Sequence, residues 1–407
     1  MTCSKHLIGL LLAGLGISLI ATRAEAVPSF ARQTGQACAA CHTTFPELTA
    51  FGRSFKLNGY TLTGTKQIES KESSASSGLQ LSSIPPISAM LQVSGTYSKA
   101  NTPSTDTSLP DQLSLFLAGK ITPHLGSFIQ VTMEQGSGFS LDNTDIRYAN
   151  HKGGVTYGLT LNNSPTVQDL WNSTPAWGYP WTHGAEVTSP VIADGLGQNV
   201  AGLGGYADWG NGIYTELSLY HDTNAFDLNN ASDVRIRGVA PYYRLAWEHT
   251  MGNGDSLMLG TYGMKTSLID NTTYSGPEDK YTDVALDTQY QHRMPDSDNL
   301  ITAHASYTHE KQTLDKSAPG DSPTLKSLRI DGTYHWGYHT AATLAYAHNT
   351  GYNSAYDDDA WTAQVSYLPW QNTKLTLQYI AYTKLAGLTD SSVSDNNTLL
   401  LQGWFMW

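Results

Sequence analysis

The chain has 407 residues, of which 14 % are charged and 10 % aromatic, and its 35 acidic against 23 basic side chains give a formal net charge of −12. An acidic balance of this kind argues against nucleic acid as a partner and leaves cations or a membrane to explain the composition. After the first 26 residues no apolar run approaches the roughly 18–20 residues that a membrane-crossing helix needs.

Residues 1–26 read as a secretory signal. Lys5 and His6 precede the apolar run Leu7 to Ala21, and Ala24-Glu25-Ala26 offers small residues for cleavage before Val27. Of the three cysteines, Cys3 falls in this leader, so the exported chain keeps only Cys38 and Cys41. No disulfide framework is available to hold the fold.

Residues 27–62 form a short segment containing Cys38-Ala39-Ala40-Cys41-His42. Two thiols two residues apart suit addition to the two vinyl groups of one haem, and the adjoining imidazole suits the proximal position on the iron. A redox dithiol would need a βαβ context, and a zinc site would need further Cys or His at ligand spacing; the sequence offers neither. The segment is too small and too modest in apolar content to wrap a haem alone, so it should borrow shielding from the rest of the chain.

Residues 63–85 are Ser-rich without an apolar period and read as a linker. From Pro86 to Trp407 the pattern becomes alternating. In "DNLITAHASYTHE", Ile301, Ala303, Ala305 and Tyr307 oppose Thr302, His304, Ser306 and Thr308. In "KLTLQYIAY", Leu375, Leu377 and Tyr379 oppose Lys374, Thr376 and Gln378. Each such strand has one apolar and one polar face. Short connections ("TPH", "NHKG", "WGN", "MGNG", "MPDSD", "WGYH", "LPWQN") alternate with long ones, among them "SKANTPSTDTSLPD", 162–197 and "NTGYNSAYDDDA".

That alternation predicts an all-β fold: an outer-membrane antiparallel β-barrel of about 16 strands, with apolar faces to lipid, polar faces to a lumen and short periplasmic turns. The cytochrome segment is expected to dock in this barrel. Tyr and Trp in "YYRLAW", "WTAQVSYLPW" and "GWFMW" fit interfacial girdles. The 162–197 connection, with Trp171, Trp177 and Trp181, is too long for a turn and should either fold into the lumen or form an external lid. In the first strand Ile87, Ala89, Leu91 and Val93 point outward, so Met90 faces the lumen and is a candidate sixth haem ligand. Lumen-facing His335 and His304 are further candidates; in the competing reading Met90 only fills space and the sixth ligand is water, Lys56 or absent.

With these residues in view, 27–62 followed by a Ser-rich linker and a barrel resembles the fused outer-membrane cytochrome–porins, the monohaem iron oxidases of iron-oxidising bacteria. Beyond CxxCH the likeness includes Phe30-Ala31-Arg32-Gln33-Thr34-Gly35, Phe45-Pro46-Glu47-Leu48 and Phe51-Gly52-Arg53; over the barrel it is architectural, joined by "NSPTVQDLWNSTPAWGYPW". The resemblance implies one covalent haem c at Cys38 and Cys41 with His42 axial. It also implies electron uptake from extracellular Fe(II) and delivery to a periplasmic cytochrome c, in the outer membrane of a Gram-negative bacterium. Acidic external loops would concentrate divalent cations, and the carboxylates of Asp357, Asp358 and Asp359 are hard oxygen donors suited to transient Fe(II) contact; ordinary solvated loop charge is the competing reading. Two other functions fit the same parts: an outward conduit to an external acceptor, and a diffusion porin with a haem-bearing plug.

Overall fold

A computed structural model describes residues 28–62, 85–134, 138–166, 169–174, 196–223, 235–252, 254–269, 275–351 and 354–407. The leader, linker residues 63–84, and Trp177 and Trp181 lie outside the described residues.

Sixteen antiparallel strands close into a barrel. The first eight are β1 (Ile87–Ser98), β2 (Thr105–Thr122), β3 (Leu125–Glu134), β4 (Phe139–Lys152), β5 (Val155–Asn162), β6 (Val200–Asp208), β7 (Ile213–Asp222) and β8 (Ala240–Thr250). The rest are β9 (Ser256–Leu268), β10 (Asp279–Arg293), β11 (Leu300–Leu314), β12 (Thr324–Trp336), β13 (Thr340–Thr350), β14 (Asp358–Trp370), β15 (Thr373–Lys384) and β16 (Thr398–Met406). Each strand pairs with its neighbour in sequence, and β1 closes the wall on β16 through Met90↔Met406 to Ser98↔Thr398.

The barrel is polar inside and apolar outside. On β10 the outward Val284 and Leu286 are 49 % and 63 % exposed, while the inward Asp287 and Gln289 are 5 % and 1 % exposed. Leu377 and Tyr379 on β15 face outward, and Lys374, Thr376 and Gln378 are buried. Water would penalise such an apolar exterior, whereas a bilayer requires it, and a closed barrel leaves no sheet edge unpaired within the bilayer. The chain is an outer-membrane barrel.

The expected strict alternation of short and long connections fails at two hairpins. The β1–β2 connection spans only 99–104, because Thr105–Asp106-Thr107-Ser108 continue the ladder against Tyr97 to Ser94. The β3–β4 turn, between Glu134 and Phe139, is also short. Both connections are short in sequence at the end where the others are long.

Three short helices precede the barrel: α1 (Pro28–Thr34), α2 (Cys38–Cys41) and α3 (Ala50–Leu57). Thr49 caps α3, its side chain accepting from Gly52 N at 3.1 Å. The chain leaves α3 through Gly59 at φ +68, a conformation suited to glycine at a helix end.

Candidate functional site: a lumen plug carrying the CxxCH motif

The three helices lie inside the barrel, near the short turns. Ser29 donates to Ala118 O on β2 at 2.8 Å, and its backbone N–H donates to Ser88 Oγ on β1. The Cys38 N–H donates to Gln371 Oε1, in the β14–β15 turn, at 2.9 Å. Tyr60 donates to Asp145 Oδ2 on β4 at 2.6 Å. Phe30, Phe55 and Tyr60 pack together, with Tyr60 reaching Phe128 on β3. The segment thus takes its shielding from the lumen wall, as its small apolar content demands.

Two charged residues carry much of this docking. Arg53, 3 % exposed, pairs with Glu248 on β8 and donates to Gln289 and Gln291 on β10 at 3.3 and 3.1 Å. Glu47 is fully buried, and its carboxylate accepts from Thr43 Oγ1 at 2.6 Å and meets His304 Nε2 on β11 at 3.2 Å. Burial opposes ionisation of Glu47, but His304, with His335 and Thr43, outweighs it and holds the carboxyl at about 2.

The described part of the long β5–β6 connection folds inward onto the plug, so the lid reading does not hold for 163–166 and 169–174. Asn172 Oδ1 accepts from Leu48 N at 3.1 Å, and Asp169 O accepts from Lys56 Nζ at 3.2 Å. Leu170 and Trp171 cluster with Leu57, Tyr206 and Met258. Arg244 on β8 anchors the turn, pairing with Asp169 at 3.3 Å and with Asp287 on β10 at 2.6 Å.

The residues at the motif fit a c-type haem. Cys38 and Cys41 lie within one helical turn, and burial, with Cys38 alongside, pushes the Cys41 thiol up to about 11. A reactive redox dithiol needs the opposite shift. His42 follows directly, its Nδ1 at 3.2 Å from Pro46 O and 3.3 Å from Glu47 O. Nδ1 is then the donor and Nε2 carries the lone pair, the tautomer that a proximal ligand requires. Burial also keeps the ring neutral, lowering its pKa despite the two carbonyls. Phe51 remains 41 % exposed on α3, an apolar ring that a porphyrin could cover.

Gly52 explains how α3 can cross α2. A Cβ there would collide with the Cys41 carbonyl. Gly126 on β3 likewise leaves room for Gly59 O of the plug. Gly52→Ala is expected to cost about 1–3 kcal/mol by overpacking. In the haem-free chain, maleimide should then modify the otherwise buried Cys38 severalfold faster, and an unchanged labelling rate would refute this crossing.

The structure sorts the remaining candidates. Met90 does face the lumen, but it packs among Phe116, Ala118 and Met406 beside Phe30, and its sulfur lies 3.6 Å from Gln92 Nε2. His335 Nδ1 faces Thr44 Oγ1 at 3.2 Å and its Nε2 faces Thr302 Oγ1 at 3.3 Å. His304 lies between Glu47 and Asp331, at 3.2 and 3.0 Å. Both histidines thereby hold the plug, and Lys56 is turned to the inward loop. The aspartates do not form a common external site. Asp357 Oδ1 accepts from Gly351 N, Asp358 Oδ1 accepts from Ala386 N, and Asp359 pairs with His348. Asp358 and Asp359 belong to β14 rather than to the loop, and Asp358 is buried. Among the described residues no group of three or more His, Cys, Asp or Glu is placed to hold a metal ion.

The fold is that of an outer-membrane porin. Salmonella typhi OmpF, solved with daunomycin, aligns with a TM-score of 0.51 at 12 % identity, over 79 % of this chain and 97 % of that one. A loop L8 deletion mutant of OmpT, an outer membrane protein of Vibrio cholerae, aligns with a TM-score of 0.50 at 11 % identity, over 79 % of this chain and 98 % of that one. No protein-family profile matches the chain. No curated protein matches it in sequence.

Proposed function

We propose that the chain is an outer-membrane electron-transfer protein that oxidises extracellular Fe(II) and passes the electrons to a periplasmic carrier such as a cytochrome c. The observation that carries this reading is a CxxCH segment seated inside a porin-type barrel, with His42 Nδ1 already committed to backbone carbonyls. Haem c held by Cys38, Cys41 and His42 would supply one-electron chemistry. The polypeptide supplies placement. Short turns of outer-membrane barrels face the periplasm, which supports a reading with the motif toward soluble carriers and the long connections toward external iron. Oxidation outside the cell also keeps poorly soluble Fe(III) out of the periplasm.

A diffusion porin with a haem-bearing plug is the second reading, favoured by the fold shared with OmpF. Against it stands the filling of the lumen near the short turns by α1–α3 and the inward residues 169–174. Anaerobic stopped-flow mixing of the oxidised, haem-loaded protein in detergent with Fe(II) separates the two. Rapid stoichiometric haem reduction, lost in His42→Ala, is expected. A haem that dithionite reduces and Fe(II) does not would overturn iron oxidation and leave outward transfer or a plugged porin, which solute flux through reconstituted bilayers tells apart.

A further inference from the structure

Lys374 on β15 is fully buried on the lumen side, in the same pocket as the CxxCH motif. Its Nζ donates to Phe45 O at 3.2 Å and lies 4.3 Å from the ring centroid of Trp404 and 5.2 Å from that of Phe45. Phe45 in turn packs with Cys38 and Leu368, beside Trp404. These are the contacts of an ammonium ion: aromatic faces and a carbonyl attract a cation, whereas an amine ligating iron must aim a lone pair at the metal. Among the described residues no carboxylate lies within ion-pair distance of Lys374. A cation buried without an anion is strongly disfavoured. A second donor lies open at the same place, since the indole Nε1 of Trp404 is buried and has no acceptor. Buried donors of this kind ordinarily find partners.

We propose that Lys374 and the Trp404 indole form a carboxylate-binding pair for a propionate of the haem attached at Cys38 and Cys41. The inference rests on the haem reading above and specifies what that reading leaves open: how the barrel wall, rather than the cytochrome segment, grips the porphyrin. Porins need no buried cation here, but a haem carrying two carboxylates into a low-dielectric lumen does. The cation also favours the reduced, more negative form of the cofactor, so the wall would raise the haem's reduction potential.

The test uses haem-loaded wild type, Lys374→Gln, Lys374→Arg and Trp404→Phe in detergent, read by spectroelectrochemical titration and resonance Raman spectroscopy. Lys374→Gln is expected to lower the potential and shift the propionate bending mode, with the spin- and ligation-marker bands unchanged. Lys374→Arg should keep both near wild type, and Trp404→Phe should shift the propionate mode alone. An unchanged potential and propionate mode in Lys374→Gln would overturn the proposal, as would altered ligation bands, which would make Lys374 an iron ligand. A wild-type protein without a pyridine haemochrome would sink the underlying haem reading, a failure distinct from either.

Discussion

Arg53→Ala should release the N-terminal segment from the lumen without opening the barrel. Arg53 lies almost out of contact with solvent and joins α3 to two strands, pairing with Glu248 and donating to Gln289 and Gln291. Its removal leaves the Glu248 carboxylate, 21 % exposed, with Trp171 Nε1 at 2.9 Å as its remaining hydrogen-bond donor among the described residues. Breaking a fully buried pair from one side costs about 3–5 kcal/mol; with Glu248 partly exposed the lower end applies, about 3 kcal/mol, or roughly a hundredfold in the docked-to-released ratio. The loss falls on the contact between segment and wall, because the interstrand ladders do not use Arg53. Limited proteolysis should therefore cut within residues 28–62 while the barrel keeps its heat-modifiable mobility on gels. Arg53→Lys should fall between, since lysine keeps the charge but cannot make the forked set of bonds. Equal protease resistance in wild type and Arg53→Ala would show that packing around Phe30, Phe55 and Tyr60 suffices for docking.

Much of the barrel was legible because strand periodicity leaves a direct trace. The alternation of Ile301 to Tyr307 with Thr302 to Thr308 maps onto outward and inward faces without exception. The hairpins were harder. In "SKANTPSTDTSLPD" the Ser, Thr and Pro residues look like loop, yet Thr105 to Ser108 remain in the ladder because β1 offers them partners. Asp358 and Asp359 read as loop for the same reason, yet they open β14.

The site divided differently. Cys38, Cys41 and His42 announce themselves by spacing, and the inward direction of Met90, His304 and His335 follows from strand parity. Their partners do not. Nothing local in "PELTAFGRS" says that Glu47 will meet a histidine 257 residues later, or that Arg53 will meet Glu248. Lys374 read simply as one polar residue on an alternating strand. Only the three-dimensional placement of Phe45 and Trp404 shows it as a buried amine beside the motif. Long-range pairing, rather than local pattern, is what the single sequence withheld.

The same pairing gives His304→Leu an effect whose sign depends on pH. His304 stands between Glu47 of the plug and Asp331 of β12, so its loss leaves two buried carboxylates with one fewer donor each. At neutral pH docking should weaken by about 3–5 kcal/mol. In the wild type Glu47 is held at about 2 against an ordinary value of 4.5. A carboxyl with a depressed pKa contributes stability that is complete above its unfolded value and is lost as pH falls through the folded one. Wild-type docking should accordingly hold down to about pH 4.5 and fade toward pH 2. Without His304, burial becomes the ruling influence and favours the neutral acid, so the folded pKa should rise above the unfolded one. The variant's contribution then runs the other way: present at low pH and lost as pH rises. Protease resistance of residues 28–62, measured after brief exposure across pH 3 to 7 and return to a common pH for digestion at rates faster than redocking, should fall on acidification in the wild type and climb in His304→Leu. Parallel profiles would mean that Glu47 keeps its charge without the imidazole, and that Thr43 with the Gln289 and Gln291 amides, which donate to Glu47 Oε1 at 3.5 and 3.4 Å, is enough to hold a carboxylate in the lumen.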